Sequence, residues 1–208
     1  MGRKPKTSAK PGSDEGRRLI LDAARDAFAT FGFEGASLRA ISAKAGVLHT
    51  AMLYHFHSKD ALWRAVMAEL LEELEARIES PAPDMADATE DALARRRVRD
   101  FVHFCAERPE LHRIMTIEGR SDTSRLTWLI DNYTMRLFEG VTSLVHATNP
   151  SIFDDPVRLY YAIVGLAASS FTLAPEYKRL SGRDPFSAEE VEATAALVER
   201  LIFGPGTP

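Results

Sequence analysis

Three of the six histidines of the chain, His49, His55 and His57, fall within nine positions. Imidazole ligates transition metals, moves protons near neutral pH and, when protonated, meets phosphate, so spacing must decide among these roles. Metal-binding histidines on a helix sit three or four residues apart, as in H-E-x-x-H, so that both rings leave one face. Separations of six and two do not provide that geometry. A second group, His103-Phe104-Cys105 with His112 nearby, has the residue types of a nucleophile pair or of zinc ligands, again without the favoured spacing. The sequence contains no H-E-x-x-H, G-x-S-x-G, Walker loop or dinucleotide-binding fingerprint, so neither an enzyme nor a bound cofactor or metal is expected. Contact with something outside the protein becomes the leading role for the histidine cluster.

The elements that must position these residues are helical. With 208 residues, 45% of them hydrophobic, the chain can form one large or two small domains with a real core. No apolar run approaches the ~18 residues that span a bilayer, and residues 1–10 carry charge without an apolar stretch, so a soluble, cytoplasmic protein without a membrane partner is expected. The single Cys105 allows no internal disulfide, which agrees with a reducing compartment. The net charge of −4 conceals an asymmetry. Residues 1–64 hold 11 Lys and Arg against 6 Asp and Glu, whereas residues 65–208 hold 15 against 24. A basic module is joined to an acidic one.

Residues 1–16, with Arg3, Lys4, Lys6 and Lys10 among Gly, Pro and Ser, read as a flexible basic arm. From Arg17, apolar residues recur at helical spacing until Gly32, a suitable stop. Ser37 is a good N-cap for a short helix ending at Gly46, and a third helix covers 48–54. Ser58 opens a fourth, whose stripe Leu62, Val66, Leu70, Leu74 and Ile78 runs to the Ser80-Pro81-Ala82-Pro83 break. Further helices are predicted over 87–107, 109–117 and 123–147. Asp155-Pro156 starts another, and Ser187-x-x-Glu190 reads as a capping box for the last. No alternating strand pattern occurs, and the fold class is all-α.

Two short helices about a tight Ala45-Gly46-Val47 turn, after a longer helix, follow the plan of a helix-turn-helix unit. The stretch L-I-L-D-A-A-R-D-A-F-A-T-F-G-F-E-G-A-S-L-R-A-I-S-A-K-A-G-V, followed by Y-H-F-H-S-K-D-A-L, resembles the TetR family of transcriptional repressors over about 45 residues. The resemblance implies a helix-turn-helix DNA-binding domain over 17–62 and a larger α-helical ligand-binding and dimerisation domain over 63–208. It implies a double-stranded DNA operator as partner. Ser37 would cap the second helix near the backbone, and Arg39 would reach a phosphate. His49 and Thr50 would meet base edges, Tyr54 and His55 would make groove and phosphate contacts, and Lys59 would add a cation at the start of the fourth helix. Arg3 and Lys4 resemble arms that lie in a minor groove. Val47, Met52 and Phe56 read as local core. Two positions depart from the family pattern: Leu48 stands where a Ser or Thr is usual, and Leu53 where a Tyr is often found. A missing N-cap hydroxyl costs about 1 kcal/mol.

For the acidic remainder the family implies dimerisation and a small-molecule inducer. Ala162, Gly165, Leu166 and Ser169 on one predicted helix, with Val191, Thr194, Val198, Leu201 and Ile202 on the last, could form a two-fold four-helix interface. The same residues could instead close the subunit's own core. Phe101, Phe104, Cys105, Met115, Trp128, Tyr133, Phe138 and Tyr160 suit a pocket for an inducer of substantial apolar surface. The run Arg95-Arg96-Arg97-Val98-Arg99 points in nearly all directions around its helix and is expected to pair with acidic neighbours. The competing readings are a metal-responsive regulator and a helical interaction protein that does not bind DNA.

Overall fold

The computed structural model describes residues 14–80, 88–148 and 155–204, with side chains at all of these except 144 and 146–148. The predicted arm, with Arg3 and Lys4, lies almost wholly outside the described residues. Among the described residues there are helices and no strands, in agreement with the all-α expectation. They form two compact units. One comprises the chain up to Leu70 together with Arg113–Ser121, and the other comprises Leu71–His112 with the chain from Asp122 onward. The division therefore lies eight residues beyond the boundary expected at 62/63, and the first unit recruits a segment from the middle of the sequence.

In the first unit, helix α1 (Asp14–Gly35) packs against α2 (Leu38–Ala45) and α3 (His49–His55). Ile20, Ala24 and Phe28 of α1, Ile41 of α2 and Met52 of α3 are almost completely buried. Helix α4 (Lys59–Glu79) adds Leu62, Trp63, Val66 and Met67, and α6 (Pro109–Glu118) adds Ile114. Gly32 interrupts α1 with φ 68°, and a Cβ there would lie 2.9 Å from Cγ2 of Ile117. Glycine is needed at this point for both the left-handed backbone and the close approach.

Most of the predicted caps are made. The Ala61 N–H donates to Ser58 Oγ at 3.0 Å, and Asp155 Oδ1 accepts from the N–H groups of Val157 and Arg158 at 2.9 and 3.3 Å. The capping box at Ser187 is only half formed. Ser187 Oγ accepts from the Glu190 N–H, but the Ser187 N–H donates to the Asp184 carbonyl. The Glu190 carboxylate is instead buried, accepting from the Tyr177 hydroxyl and pairing with Arg183 at 3.0 Å. A tertiary partner that satisfies a buried charge outcompetes a local backbone donor.

The second unit is built on α5 (Glu90–Glu107), which packs against α8 (Met135–Thr148), α9 (Pro156–Thr172) and α11 (Ala188–Phe203). Val98 and Val102, Ile163 and Phe171, and Val198 and Ile202 meet in one core cluster. The helix expected over 123–147 is α7 (Ser124–Leu129), a π-helical turn over Ile130–Thr134, and then α8. In that turn the Asn132 side chain donates to the Trp128 carbonyl at 2.8 Å. Helix α10 (Ala174–Ser181) follows α9 at a 75° bend. No single helix among the described residues is long and apolar enough to cross a membrane.

Candidate nucleic-acid interface and ligand cavity

The turn between α2 and α3 follows from its residues. Ser37 has an extended backbone, and its Oγ accepts from the Ala40 N–H at 3.5 Å, a weak cap. Gly46 adopts φ 68°, so its N–H and that of Val47 return to the carbonyls of Ala43 and Ser42 at 3.2 and 3.1 Å. Leu48 caps α3 with its backbone only, as expected from its lack of a hydroxyl. Ala51 and Met52 anchor α3 from beneath.

What remains outward is Leu48 at 65% exposure, Leu53 at 38% and Tyr54 at 70%, together with exposed Thr50 and, on α2, exposed Arg39. His49 and His55 are half-buried, and the buried Nδ1 of His49 has no hydrogen-bond partner among the described residues. His57 is exposed in the turn after α3. Val47 is half-buried, and Met52 and Phe56 are core, as expected.

Lys59 stands at the start of α4, as the sequence places it. Its Nζ donates to the Glu34 carbonyl at 3.2 Å and sits 4.7 Å from the Phe33 ring centroid. The ammonium is drawn to the carbonyl-rich end of α1 and to an aromatic face. One cation missed by the sequence reading is Arg17, whose guanidinium lies over the Phe56 ring at 5.5 Å, beside the turn that follows α3. The basic pair Arg17-Arg18 in the first turn of α1 was the available signal.

The enzyme and metal readings find no geometric support at the second histidine group. Cys105 is buried, and burial pushes its thiol up to about 12, leaving it an unreactive neutral core residue. His103 Nε2 is engaged 3.0 Å from Glu192. No group of three or more potential metal-ligating side chains converges among the described residues.

In the second unit, α4, α5, α8 and α9 enclose a cavity of about 190 Å³. Of the eight residues expected to line a pocket, Phe101 and Tyr160 do so. Phe104 and Cys105 lie one turn further along α5, in the core. Trp128 and Tyr133 stack edge to face at 5.5 Å, and the Tyr133 hydroxyl donates to Glu72 at 3.4 Å. Phe138 packs against the Tyr160 ring at 5.6 Å, outside the lining, and Met115 belongs to the first unit.

The expected dimer face is half corrected. Val191, Val198 and Ile202 are 7%, 1% and 2% exposed and pack inside the subunit, so they have no surface to offer a partner. The other side of α11 carries exposed Ala193, Leu197 and Leu201. On α9, Gly165, Leu166 and Ser169 are exposed beside Val157 and Tyr161, with Ala162 and, on α11, Thr194 at the half-buried margin.

Residues 20–66 match the family of bacterial regulatory proteins, tetR family. The HTH-type transcriptional regulator RutR of Escherichia coli (strain K12) is 33% identical over 190 residues, covering 90% of this chain and 88% of RutR. The HTH-type transcriptional repressor Rv1474c of Mycobacterium tuberculosis is 36% identical over 107 residues, 44% of this chain and 57% of the relative. A TetR-like transcriptional regulator from Rhodococcus sp. RHA1 shares the fold, with a TM-score of 0.65 at 20% identity, covering 90% of this chain and 93% of that one. The chain belongs to the TetR family and is a helix-turn-helix, DNA-binding transcriptional regulator rather than an enzyme.

Proposed function

We propose that the protein is a homodimeric repressor that covers a palindromic operator and is released by a small molecule. The observation that carries the DNA half is the outward set on α3. Thr50, Leu53 and Tyr54, with Leu48 at the N-cap, are exposed along a seven-residue helix whose other face is buried. Thr50 suits a base edge, and the two leucines suit thymine methyl groups in the major groove. Arg17 and Arg39 suit phosphates. The exposed sides of α9 and α11 support a two-fold four-helix interface, which fixes two recognition helices about 34 to 36 Å apart. Repression is the role carried in the name of the mycobacterial relative, a transcriptional repressor.

The cavity supports the ligand half, and α4 gives a route for coupling. Its residues up to Leu70 belong to the first unit, while Leu74, Glu75, Ile78 and Glu79 line the cavity. A ligand that prefers one arrangement of α4 would change operator affinity by about 5- to 150-fold for a typical coupling of 1 to 3 kcal/mol.

Selection of bound duplexes from a random pool, followed by titration at several salt concentrations, tests this function. The expected result is an inverted repeat whose binding weakens steeply with salt as counterions are released. Replacing thymine by uracil at the contacted positions should weaken binding in proportion to the methyl groups lost. Recovery of no preferred duplex at any salt concentration would remove the assignment.

A further inference from the structure

The arginine run on α5 does not behave uniformly. Arg95 pairs with Asp91 at 2.6 Å, Arg96 with Asp100 at 3.1 Å, and Arg99 with both Glu199 at 2.8 Å and Glu192. Arg97 is half-buried and has no carboxylate partner among the described residues, and it lines the cavity. Of the two arginines in the lining, Arg136 is paired with Glu75, whereas Arg97 keeps its planar donor fork free of any carboxylate among the described residues and is the cation left to meet an anion.

The rest of the lining narrows the choice. Leu74, Val98, Phe101, Val141 and Ile163 make the walls apolar. Glu75 is occupied by Arg136 at 2.7 Å, and Glu79 is exposed and therefore already solvated by water. Tyr160 has no hydrogen-bond partner for its hydroxyl among the described residues, and burial raises its ionisation to about 12, so at neutral pH it is a donor. The uncommitted polar groups thus include an Arg fork and a phenolic donor, and a carboxylate is a pure acceptor with the geometry to take both. The volume limits the apolar part. A cavity of about 150 Å³ holds a benzene ring, so this one fits a single ring or a chain of roughly six to eight carbons.

We infer that the cavity binds a compact monocarboxylate, with its carboxylate on Arg97 and its single ring or short chain against the apolar walls. This rests on the reading of the cavity as the ligand site and adds the chemical class of the ligand.

The test is calorimetric titration of the full-length protein with hexanoate, octanoate and phenylacetate, each beside its uncharged amide. At least one carboxylate should bind at least about tenfold more tightly than its amide, the scale of a charge-assisted hydrogen bond. Arg97→Gln should remove that preference while amide affinity stays within about twofold, and Arg97→Lys should keep part of it. Arg96→Gln, at a residue paired with Asp100 and outside the lining, should leave the preference intact. Equal binding of carboxylate and amide, retention of the preference in Arg97→Gln, or binding of none of the three carboxylates overturns the inference. Because the wild-type comparison needs no substitution, a poorly folded variant cannot rescue it. Equal binding of both series leaves the cavity standing as a ligand site. Preferential carboxylate binding without change in operator affinity sinks the inducer reading while leaving the ligand class in place.

Discussion

Residues 48–55 and 95–99 are short helical segments with concentrated functional residue types, and they dispose of them in opposite ways. Around α3, apolar Leu48 and Leu53 and aromatic Tyr54 face outward, while two histidines are half-hidden. Along α5, three of four arginines are held by carboxylates from the same or another helix, and the fourth lines a mostly apolar cavity. Residue type does not separate an external contact from an internal one. What separates them is whether the fold brings a partner to each group, since an exposed Leu is cheap and an Arg fork without a carboxylate stays open to an anion.

The largest effect that would sharpen this comparison is expected at Met52, which is fully buried beneath the outward face of α3. Met52→Ala should cost about 2 to 5 kcal/mol of stability, read by denaturant unfolding, and should weaken operator binding with it. Thr50→Ala lies on the same helix but outside the core, and should lower affinity for the selected operator by about 1 to 3 kcal/mol without moving the unfolding midpoint. If the two substitutions act alike on stability, α3 has no separate inward and outward faces. Arg99→Met, on the other segment, should cost about 1 kcal/mol or less, because its ion pairs are partly exposed, and should leave DNA binding unchanged.

The smallest effect concerns pH. Burial pulls the His112 imidazole below its ordinary range. Between that lowered value and the unfolded value of about 6.5, the unfolded chain binds a proton that the folded chain does not. Stability therefore falls as pH drops through this window, and His112→Gln should flatten the slope. Unfolding midpoints from pH 7.5 to 5.0 for the two proteins measure the difference.

Local signals were legible in the sequence wherever a bond closes within a few residues. Gly46 at the turn and Ser58 and Asp155 at helix starts each act through neighbours in the chain, whereas Gly32, expected as the stop of the first helix, is an interruption within it that also depends on distant Ile117. The positions of Arg97 and Lys59 depend on other helices, and spacing carries no information about which acidic group or carbonyl will be nearby. Helix α11 shows the limit of periodicity. Its stripe Val191, Val198 and Ile202 and the stripe Ala193, Leu197 and Leu201 are both apolar, and only packing against α5 decides which turns inward. For the pocket, aromatic content pointed to α5, α8 and α9 but missed α4, and Phe104, Trp128 and Tyr133 found partners outside the cavity. Only the turn of each helix facing the cavity matters, and that depends on helix phase.

The contact between Gly32 and Ile117 sets a limit on how this regulator can be recombined. A chimera that takes the first 70 residues and grafts them onto another effector module would leave behind Ile114, which is buried in the interior of the unit that carries the helix-turn-helix, and Ile117, which lies against Gly32. The transplantable piece is discontinuous: it must carry Arg113–Ser121 or supply a side chain that fits against a glycine with no room for a Cβ.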